Sequence, residues 1–261
     1  MPGNANLEMI ENLSPWFVRN DRATTPWGNV ISMFLMLPGL RGFWPMSSYD
    51  GTLIYDLSGQ ARHLTRNAVT HQWLGLVPTG FFAAATTRYL YRADEAGLSI
   101  TGTEGYMSAG YAGMTLGGWI KNSAAGSTET FISKWVTAAN QRSFILSKNA
   151  TENPQIAIST DGIVTTLHAA TGTITAGEWT FVVGRFTPST ELATFTNGVK
   201  ETTVAAIPAS IFDSTAQFEI GRLGTAANYY TGYGSLFFLC AAALPDYMIQ
   251  ALYQHSRMLF I

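Results

Sequence analysis

The chain has 261 residues, enough for one large β-domain or two small domains, and we favour one domain because no linker-like run interrupts it. The formal net charge is -2, and charged residues make up 12% of the chain, about half the usual share. This balance excludes an electrostatic basis for binding nucleic acid or an anionic membrane. Two interpretations stay open: a surface coat of small uncharged residues, or a surface that is buried against partner subunits.

The single cysteine, Cys240, excludes an intrachain disulfide. It lies in the apolar run 236–241, so we expect a buried, inert thiol rather than a nucleophile. The N-terminus lacks a basic region followed by an apolar one, so no secretory signal peptide is predicted. No run approaches the roughly 20 apolar residues of a membrane span. We therefore expect a soluble protein that is made in the cytosol and does not insert into a membrane.

Residues 1–40 differ from the rest of the chain and are interpreted as an N-terminal docking arm. Thr25-Pro26 has the form of a helix N-cap followed by proline at the first helical position, and Pro38-Gly39 ends the helix. This helix packs either on its own β-domain or on another subunit, because so much apolar surface must be covered. The partner-docking hypothesis rests on six apolar side chains: Trp16, Phe17, Trp27, Ile31, Phe34 and Leu35.

From residue 41 onward the chain reads as strands and turns. In the segment 177–185, Trp179, Phe181 and Val183 share one face of a strand and Val182 lies on the other, so both faces are predicted to be buried. The segment 192–199 is the predicted hairpin partner, with Asn197-Gly198 as turn residues. We expect four side chains to lie between two stacked sheets: Trp119, Trp179, Phe181 and Val183.

The remaining elements complete an all-β pattern. Further strands are predicted at residues 43–46, 89–92, 116–121, 130–134, 143–147, 155–159, 216–221 and 235–239. A closing helix begins at Pro245-Asp246, with Ile249, Leu252 and Tyr253 on one face. This order predicts a jelly-roll sandwich of two antiparallel sheets at residues 41–261, preceded by the short helical arm at residues 1–40.

The sequence lacks the residue patterns of several enzyme classes. No two carboxylates stand two or three residues apart on one predicted strand, as a glycosidase cleft requires: Asp94 and Glu95 are adjacent, and Asp213 and Glu219 are separated by a predicted loop. No Gly-x-Ser-x-Gly elbow or Gly-rich phosphate loop occurs. We therefore predict a protein that is not an enzyme and has no catalytic residues.

Metal ligands are not grouped in the sequence. The histidines are scattered and lack metal-ligand spacing: His63, His71, His168 and His255. Calcium stays an open alternative, because Asp50, Asp56 and Asp161 offer loop oxygens, although no local cluster has the charge that a hard cation prefers. The prediction is no metal and no cofactor.

The strongest binding signal is a run of tyrosines beside an asparagine, in a predicted loop before the last strand. Tyrosine rings stack on sugars or anchor a protein interface, and asparagine hydrogen-bonds hydroxyl groups. The candidate ligand-binding residues are Asn228, Tyr229, Tyr230 and Tyr233. An equally open interpretation is that Tyr230 and Tyr233 simply cover the end of the sandwich.

Several short motifs, in order along residues 41–257, resemble the laminin-G-like branch of the concanavalin A-like lectin/glucanase superfamily. They are the Trp44-Pro45 segment followed by residues 55–59 and 63–65, the strand 115–121, Ser133-Lys134-Trp135, Glu178-Trp179 with residues 195–199, and the closing turn 243–253. The chain departs from the family pattern at residues 234–240, which carry neither the carboxylates nor the arginine that the family often has there. We expect this apolar strand to be covered or joined to a neighbour.

The segments 37–46 and 92–98 are also similar to laminin-G-like proteins of tailed bacteriophages. This resemblance implies a non-enzymatic virion structural protein: a head decoration, a fibre or a host-attachment component. It implies other virion proteins and further copies of this chain as partners, host-surface glycan as a further candidate partner, and location in the virion. The alternative is a carbohydrate-binding lectin module, and a glycoside hydrolase is a distant third.

Overall fold

The computed structural model describes residues 25–104, 111–123, 125–203, 206–224 and 227–261. Sixteen strands and two α-helices lie in these ranges. The strands are β1 (Leu40–Trp44), β2 (Leu53–Ile54), β3 (Leu64–Asn67), β4 (Thr70–Leu74), β5 (Val77–Phe82), β6 (Tyr89–Arg92), β7 (Met114–Asn122), β8 (Glu129–Val136), β9 (Gln141–Lys148), β10 (Pro154–Ser159), β11 (Thr165–Ala169), β12 (Trp179–Thr187), β13 (Glu191–Thr196), β14 (Val199–Thr203), β15 (Phe218–Ile220) and β16 (Gly232–Cys240). The helices are α1 (Pro26–Leu35) and α2 (Asp246–Ser256), with short 3-10 turns at Ala84–Thr86 and Arg257–Leu259.

The strands form two antiparallel sheets of eight strands each. Sheet A has the order β14-β13-β12-β7-β16-β5-β4, and β1 also pairs with β16. Sheet B has the order β11-β10-β9-β8-β15-β6-β3-β2. The sheets face each other, so the predicted all-β sandwich is confirmed.

One apolar core fills the space between the two sheets. Sheet A contributes side chains such as Leu116 and Val182, and sheet B contributes Ile132, Phe144 and Ile156. All of these side chains are buried. Their burial is the main stabilising term of the sandwich, at roughly 25 cal/mol per Å² of apolar surface removed from water.

A second apolar core lies on the outer face of sheet A, where α1 and α2 cover the strands. Trp119, Phe181 and Val183 are fully buried there, together with Phe34 from α1 and Ile249 from α2. The prediction that these three side chains lie between the sheets is therefore right about burial and wrong about the face. The period-two alternation groups residues by face, but it does not say which face meets the second sheet.

Trp179 was predicted in the same set, and it lies at the edge of the outer core. Its side chain is half-buried, and its ring centroid lies 4.9 Å from that of Phe260. The hairpin that follows β12 is formed by β13 and β14, with Asn197 and Gly198 both at positive φ in the turn. That is the backbone conformation that an Asn-Gly pair favours, so the turn prediction is confirmed.

Helix α1 begins as its sequence predicts. The hydroxyl of Thr25 accepts a hydrogen bond from the backbone N–H of Gly28 at 3.2 Å, and Pro26 occupies the first helical position. The buried face of the helix carries Val30, Ile31 and Phe34. The ring of Phe34 stacks on that of Phe43 in β1, with centroids 4.9 Å apart. The helix therefore packs on the sandwich of its own chain.

This packing corrects the partner-docking prediction. Ile31 and Phe34 are buried against their own domain, so they are not available to another subunit and the prediction is wrong for them. Trp27 and Leu35 are half-buried and pack against the same core. The other two residues of that prediction, Trp16 and Phe17, lie outside the described residues.

The apolar strand at residues 234–240 is covered on both faces, as expected. Phe238 and Cys240 point into the outer core, whereas Phe237 and Leu239 point into the inner core. The cysteine is a free, buried thiol, and burial raises its pKa above the ordinary value. Both observations agree with an inert structural thiol.

Candidate functional site

The outer face of sheet B carries a cluster of aromatic and charged side chains. We call it the tyrosine face, and it consists of Tyr89, Tyr91, Glu219, Arg222 and Tyr229. Leu90 points into the inner core, so its neighbours Tyr89 and Tyr91 project from the opposite face of β6. Glu219 in β15 stands directly opposite Tyr91 in the strand register. Two adjacent strands thus present their side chains to one surface.

Arg222 connects the members of the tyrosine face. Its guanidinium carbon lies 3.5 Å from the ring centroid of Tyr89, and it forms an ion pair with Glu219. It also hydrogen-bonds the side chain of Tyr229. The ring centroid of Tyr89 lies 5.6 Å from that of Tyr91 and 6.3 Å from that of Tyr229. Stacking on the ring and pairing with the carboxylate hold the guanidinium in one orientation.

The loop at residues 221–230 carries Arg222 and Tyr229, and both of its ends are fixed to the sheet. Gly221 adopts φ +88°, a conformation that glycine reaches without strain. Its N–H donates to the carbonyl of Phe131, and its carbonyl accepts from the N–H of Tyr230, both at 2.9 Å. The hydroxyl of Ser133 donates to the carbonyl of Arg222 at 2.8 Å. The described residues of this loop, 221–224 and 227–230, are therefore anchored beside β8 and β15.

A cleft of about 270 Å³ opens beside the tyrosine face. It lies between the β8–β9 turn, the segment before β15 and the loop at residues 221–230. Its polar lining consists of Gln141, Thr215, Gln217, Glu219 and Arg222. The side-chain amide oxygen of Gln141 accepts a hydrogen bond from the backbone N–H of Thr215 at 2.8 Å and another from the hydroxyl of Thr215 at 3.2 Å. The cleft thus combines amide, hydroxyl and charged groups next to aromatic rings.

The ion pair in this cleft is largely shielded from water. Burial raises the pKa of the Glu219 carboxyl above its ordinary value, while the charge of Arg222 acts in the opposite direction. Burial would lower the pKa of Arg222, but the hydrogen bond and charge of Glu219 outweigh it and raise that pKa. Glu219 Oε2 and Arg222 Nε are buried and have no hydrogen-bond partner among the described residues. The two charged groups are therefore held against each other, and neither of these two atoms is exposed to solvent.

The structure separates the four residues that the sequence grouped as a binding loop. Tyr230 is fully buried: its hydroxyl donates to the carbonyl of Tyr233 at 2.8 Å, and its ring packs beside Phe82 and Phe131. The prediction of ligand binding is therefore wrong for Tyr230, whose side chain belongs to the inner core.

Tyr233 lies in β16 of sheet A, where its ring is 4.8 Å from that of Phe81. Tyr233 therefore belongs to sheet A, whereas Tyr229 lies in the loop that follows β15 of sheet B. Asn228 is exposed at φ +46°, and its carbonyl accepts from the N–H of Thr130 at 2.9 Å. Of the four residues, Tyr229 belongs to the tyrosine face and Asn228 precedes it in the same loop.

Sequence reasoning missed Tyr89, Tyr91, Glu219 and Arg222 as site residues. Tyr89 and Tyr91 carried a usable signal, because two aromatic residues spaced by two on a predicted strand share a face. The pairing of Glu219 with Arg222 carried none, because it depends on the turn at Gly221 and on the placement of the loop.

The described residues contain no group of three or more His, Cys, Asp or Glu side chains arranged to hold a metal ion. The three aspartates considered for calcium stabilise turns instead. Asp50 accepts from the N–H groups of Thr52 and Leu53, and Asp56 accepts from those of Phe43, Ser58 and Arg62. Asp161 accepts from the N–H groups of Ile163 and Val164.

Family comparison fits this architecture. The family model described as the concanavalin A-like lectin/glucanases superfamily, of laminin-G type, matches residues 97–235. The chain belongs to this superfamily. The comparison with curated proteins found no match.

Solved structures from bacterial binding domains are similar in fold. Domain 4 of AbnA, an extracellular arabinanase of Geobacillus stearothermophilus solved with arabinotriose, has a TM-score of 0.61 at 14% identity, over 82% of this chain and 98% of that chain. The binding domain of Paraclostridial Mosquitocidal Protein 1 has a TM-score of 0.64 at 12% identity, over 82% and 52%. The binding domain of Botulinum neurotoxin DC in complex with SialylT has a TM-score of 0.59 at 11% identity, over 85% and 52%.

This chain therefore spans about half the length of the toxin binding domains it matches. These similarities establish the fold. They give no support to the virion assignment, which stays a prediction. No helix within the described ranges combines the length and the apolar character needed to cross a membrane.

Proposed function

We propose that this protein is a non-catalytic carbohydrate-binding domain, and that the tyrosine face with its adjoining cleft is the binding site. The observation that carries the proposal is the arrangement of Arg222 over Tyr89, beside Tyr91 and Tyr229. Aromatic rings offer flat apolar surface for the C–H faces of a sugar ring. The polar groups of the cleft offer hydrogen bonds to sugar hydroxyls.

Two further observations support this proposal. The arabinanase domain and the toxin binding domain in complex with SialylT share the fold, and the first of them was solved with a sugar ligand. The carboxylate in the cleft, Glu219, is committed to an ion pair with Arg222 rather than set opposite a second carboxylate. That arrangement favours binding over glycoside hydrolysis, which uses two carboxyl groups on either side of a bond.

The test begins with a glycan array on the purified protein, followed by calorimetry with the best glycan. Tyr91→Ala and Tyr229→Ala should each weaken binding by about tenfold or more, because each removes stacking surface. Tyr247→Ala, which alters an exposed tyrosine on α2, is the matched control and should leave the affinity unchanged. Circular dichroism checks that each variant is folded.

Two results would contradict the proposal. One is the absence of binding to any glycan on the array. The other is unchanged affinity in both Tyr91→Ala and Tyr229→Ala, which would place the sugar elsewhere on the molecule.

A further inference from the structure

We propose that the tyrosine face selects neutral oligosaccharides over acidic ones, and that Glu219 sets this selectivity by neutralising Arg222. The inference rests on the proposed function, since it names the class of glycan for the same site. It goes further because it assigns a specificity-determining role to one buried carboxylate.

The charges that line the cleft cancel each other. One carboxylate and one guanidinium are present there, Glu219 and Arg222, and they form an ion pair with each other. The side chain of Glu219 is only 2% exposed and that of Arg222 only 13%, so water screens the pair weakly. The charged part of the lining therefore sums to zero, and no attraction is left over for an anionic sugar.

Most of the guanidinium of Arg222 is already in contact with neighbouring side chains. One edge of its guanidinium is committed to Glu219, and one face is committed to the ring of Tyr89. Its Nε–H is buried, and its side chain also hydrogen-bonds that of Tyr229. A sugar carboxylate is recognised by a free two-pronged edge of arginine, and Arg222 has no such edge left.

The other polar groups of the cleft offer hydrogen bonds rather than charge. Gln141, Thr215 and Gln217 are uncharged. The side-chain amide oxygen of Gln141 already accepts from Thr215. The side-chain NH2 group of Gln141 is therefore the part that can donate to a ligand. Arg142, which follows Gln141 in the chain, does not line the cleft and donates to the carbonyl of Ile163 in the β10–β11 turn. The cleft is thus equipped for hydroxyl groups.

The experiment compares neutral oligosaccharides with their sialylated or uronic-acid counterparts on one array. The intact chain should bind the neutral members more tightly. Glu219→Gln keeps the shape of the side chain but frees the charge of Arg222, so the ratio of acidic to neutral affinity should rise by about tenfold, the equivalent of one charge-assisted contact. Glu178→Gln removes an exposed carboxylate outside the cleft and should leave the ratio unchanged.

Salt dependence supplies a second measurement that needs no variant. Binding of a neutral glycan to the intact chain should not change as sodium chloride is raised, whereas capture of an anion by Arg222 would weaken steeply. Preference of the intact chain for acidic glycans, or an unchanged ratio in folded Glu219→Gln, would overturn the selectivity and leave the proposed function standing. Absence of binding to any glycan would overturn the proposed function and this inference with it.

Discussion

Glu129 shows how one buried side chain can make stability depend on pH. It lies at the start of β8 with Lys148 and Glu152, and the ammonium nitrogen of Lys148 is 3.7 Å from Glu129 Oε2 and 2.9 Å from Glu152 Oε2. Glu129 and Lys148 are both buried. Burial raises the pKa of Glu129 to about 7, although the charge of Lys148 lowers it. Glu152 is nearer to Lys148 and therefore interacts with it more strongly. The negative charge of Glu129 is left only partly neutralised.

The pKa of Glu129 predicts the sign of a pH effect. Because the folded state holds this proton more tightly than the unfolded chain does, the stabilisation is complete below the ordinary pKa of 4.5 and is lost as the pH rises through about 7. Glu129→Gln cannot lose a proton. The difference in unfolding free energy between the wild type and this variant should therefore fall by about 1.4 kcal/mol per pH unit inside that window.

Urea unfolding at pH 4, 5, 6, 7 and 8 measures this difference. Glu178→Gln, which makes the same chemical change at an exposed position, serves as the control. A flat curve for Glu129→Gln would mean that folding does not raise the pKa of Glu129, because the attraction of Lys148 offsets the effect of burial.

At the scale of single elements, α1 is short and depends on the surface that it covers. A helix of ten residues is marginal in water by itself, because its nucleation is costly. Here Phe34 fits against Phe43 and Phe238, with ring centroids 4.9 and 5.4 Å away. The contact stabilises the helix and covers the outer face of β16 at the same time.

Phe34→Ala should therefore lower the unfolding free energy by about 3–5 kcal/mol, the usual cost of removing a buried phenylalanine ring. Met36→Ala, only two residues further on but 83% exposed, should change it by less than about 0.5 kcal/mol. Denaturant unfolding of both variants gives the comparison. A loss below about 1 kcal/mol for Phe34→Ala would show that α1 contributes little to the outer core.

At the scale of the whole molecule, three strands of sheet A contribute side chains to both the inner and the outer core. β7, β12 and β16 are buried on their two faces, with sheet B on one side and the helices on the other. Arg185 in β12 links sheet A to α2, because its guanidinium donates to the carbonyl of Leu244 at 2.6 Å and pairs with Asp246 at the start of α2 at 2.7 Å. It also forms an ion pair with Glu191 in β13. Since the layers share strands, we expect the described sandwich to unfold as one cooperative unit.

Metal removal tests the molecule as a whole. Asp50, Asp56 and Asp161 already accept hydrogen bonds from backbone N–H groups, so they do not need a cation to compensate their charge. Millimolar EDTA should leave the Tm unchanged. A drop of several degrees that added calcium reverses, and added magnesium does not, would contradict the prediction of no metal.

Much of the architecture followed from local patterns. Period-two alternation predicted β12, the Asn197-Gly198 pair predicted the turn before β14, and Thr25-Pro26 predicted the start of α1. These features depend on residues close together in the chain, where sterics and backbone hydrogen bonds act regardless of the rest of the fold. The apolar run around Cys240 likewise predicted burial correctly, because burial of such a run is needed in any compact structure.

The choice of face and the composition of the site were decided by tertiary structure. Trp119 and Phe181 had to be buried, but only the position of α1 and α2 made their face the outer one. Tyr229 and Tyr230 are neighbours in sequence, yet one lies on the tyrosine face and the other is in the inner core. Glu219 meets Arg222 because Gly221 turns the chain and Ser133 holds the loop. Sequence spacing fixes which side chains share a face, whereas contacts between distant segments decide what that face meets.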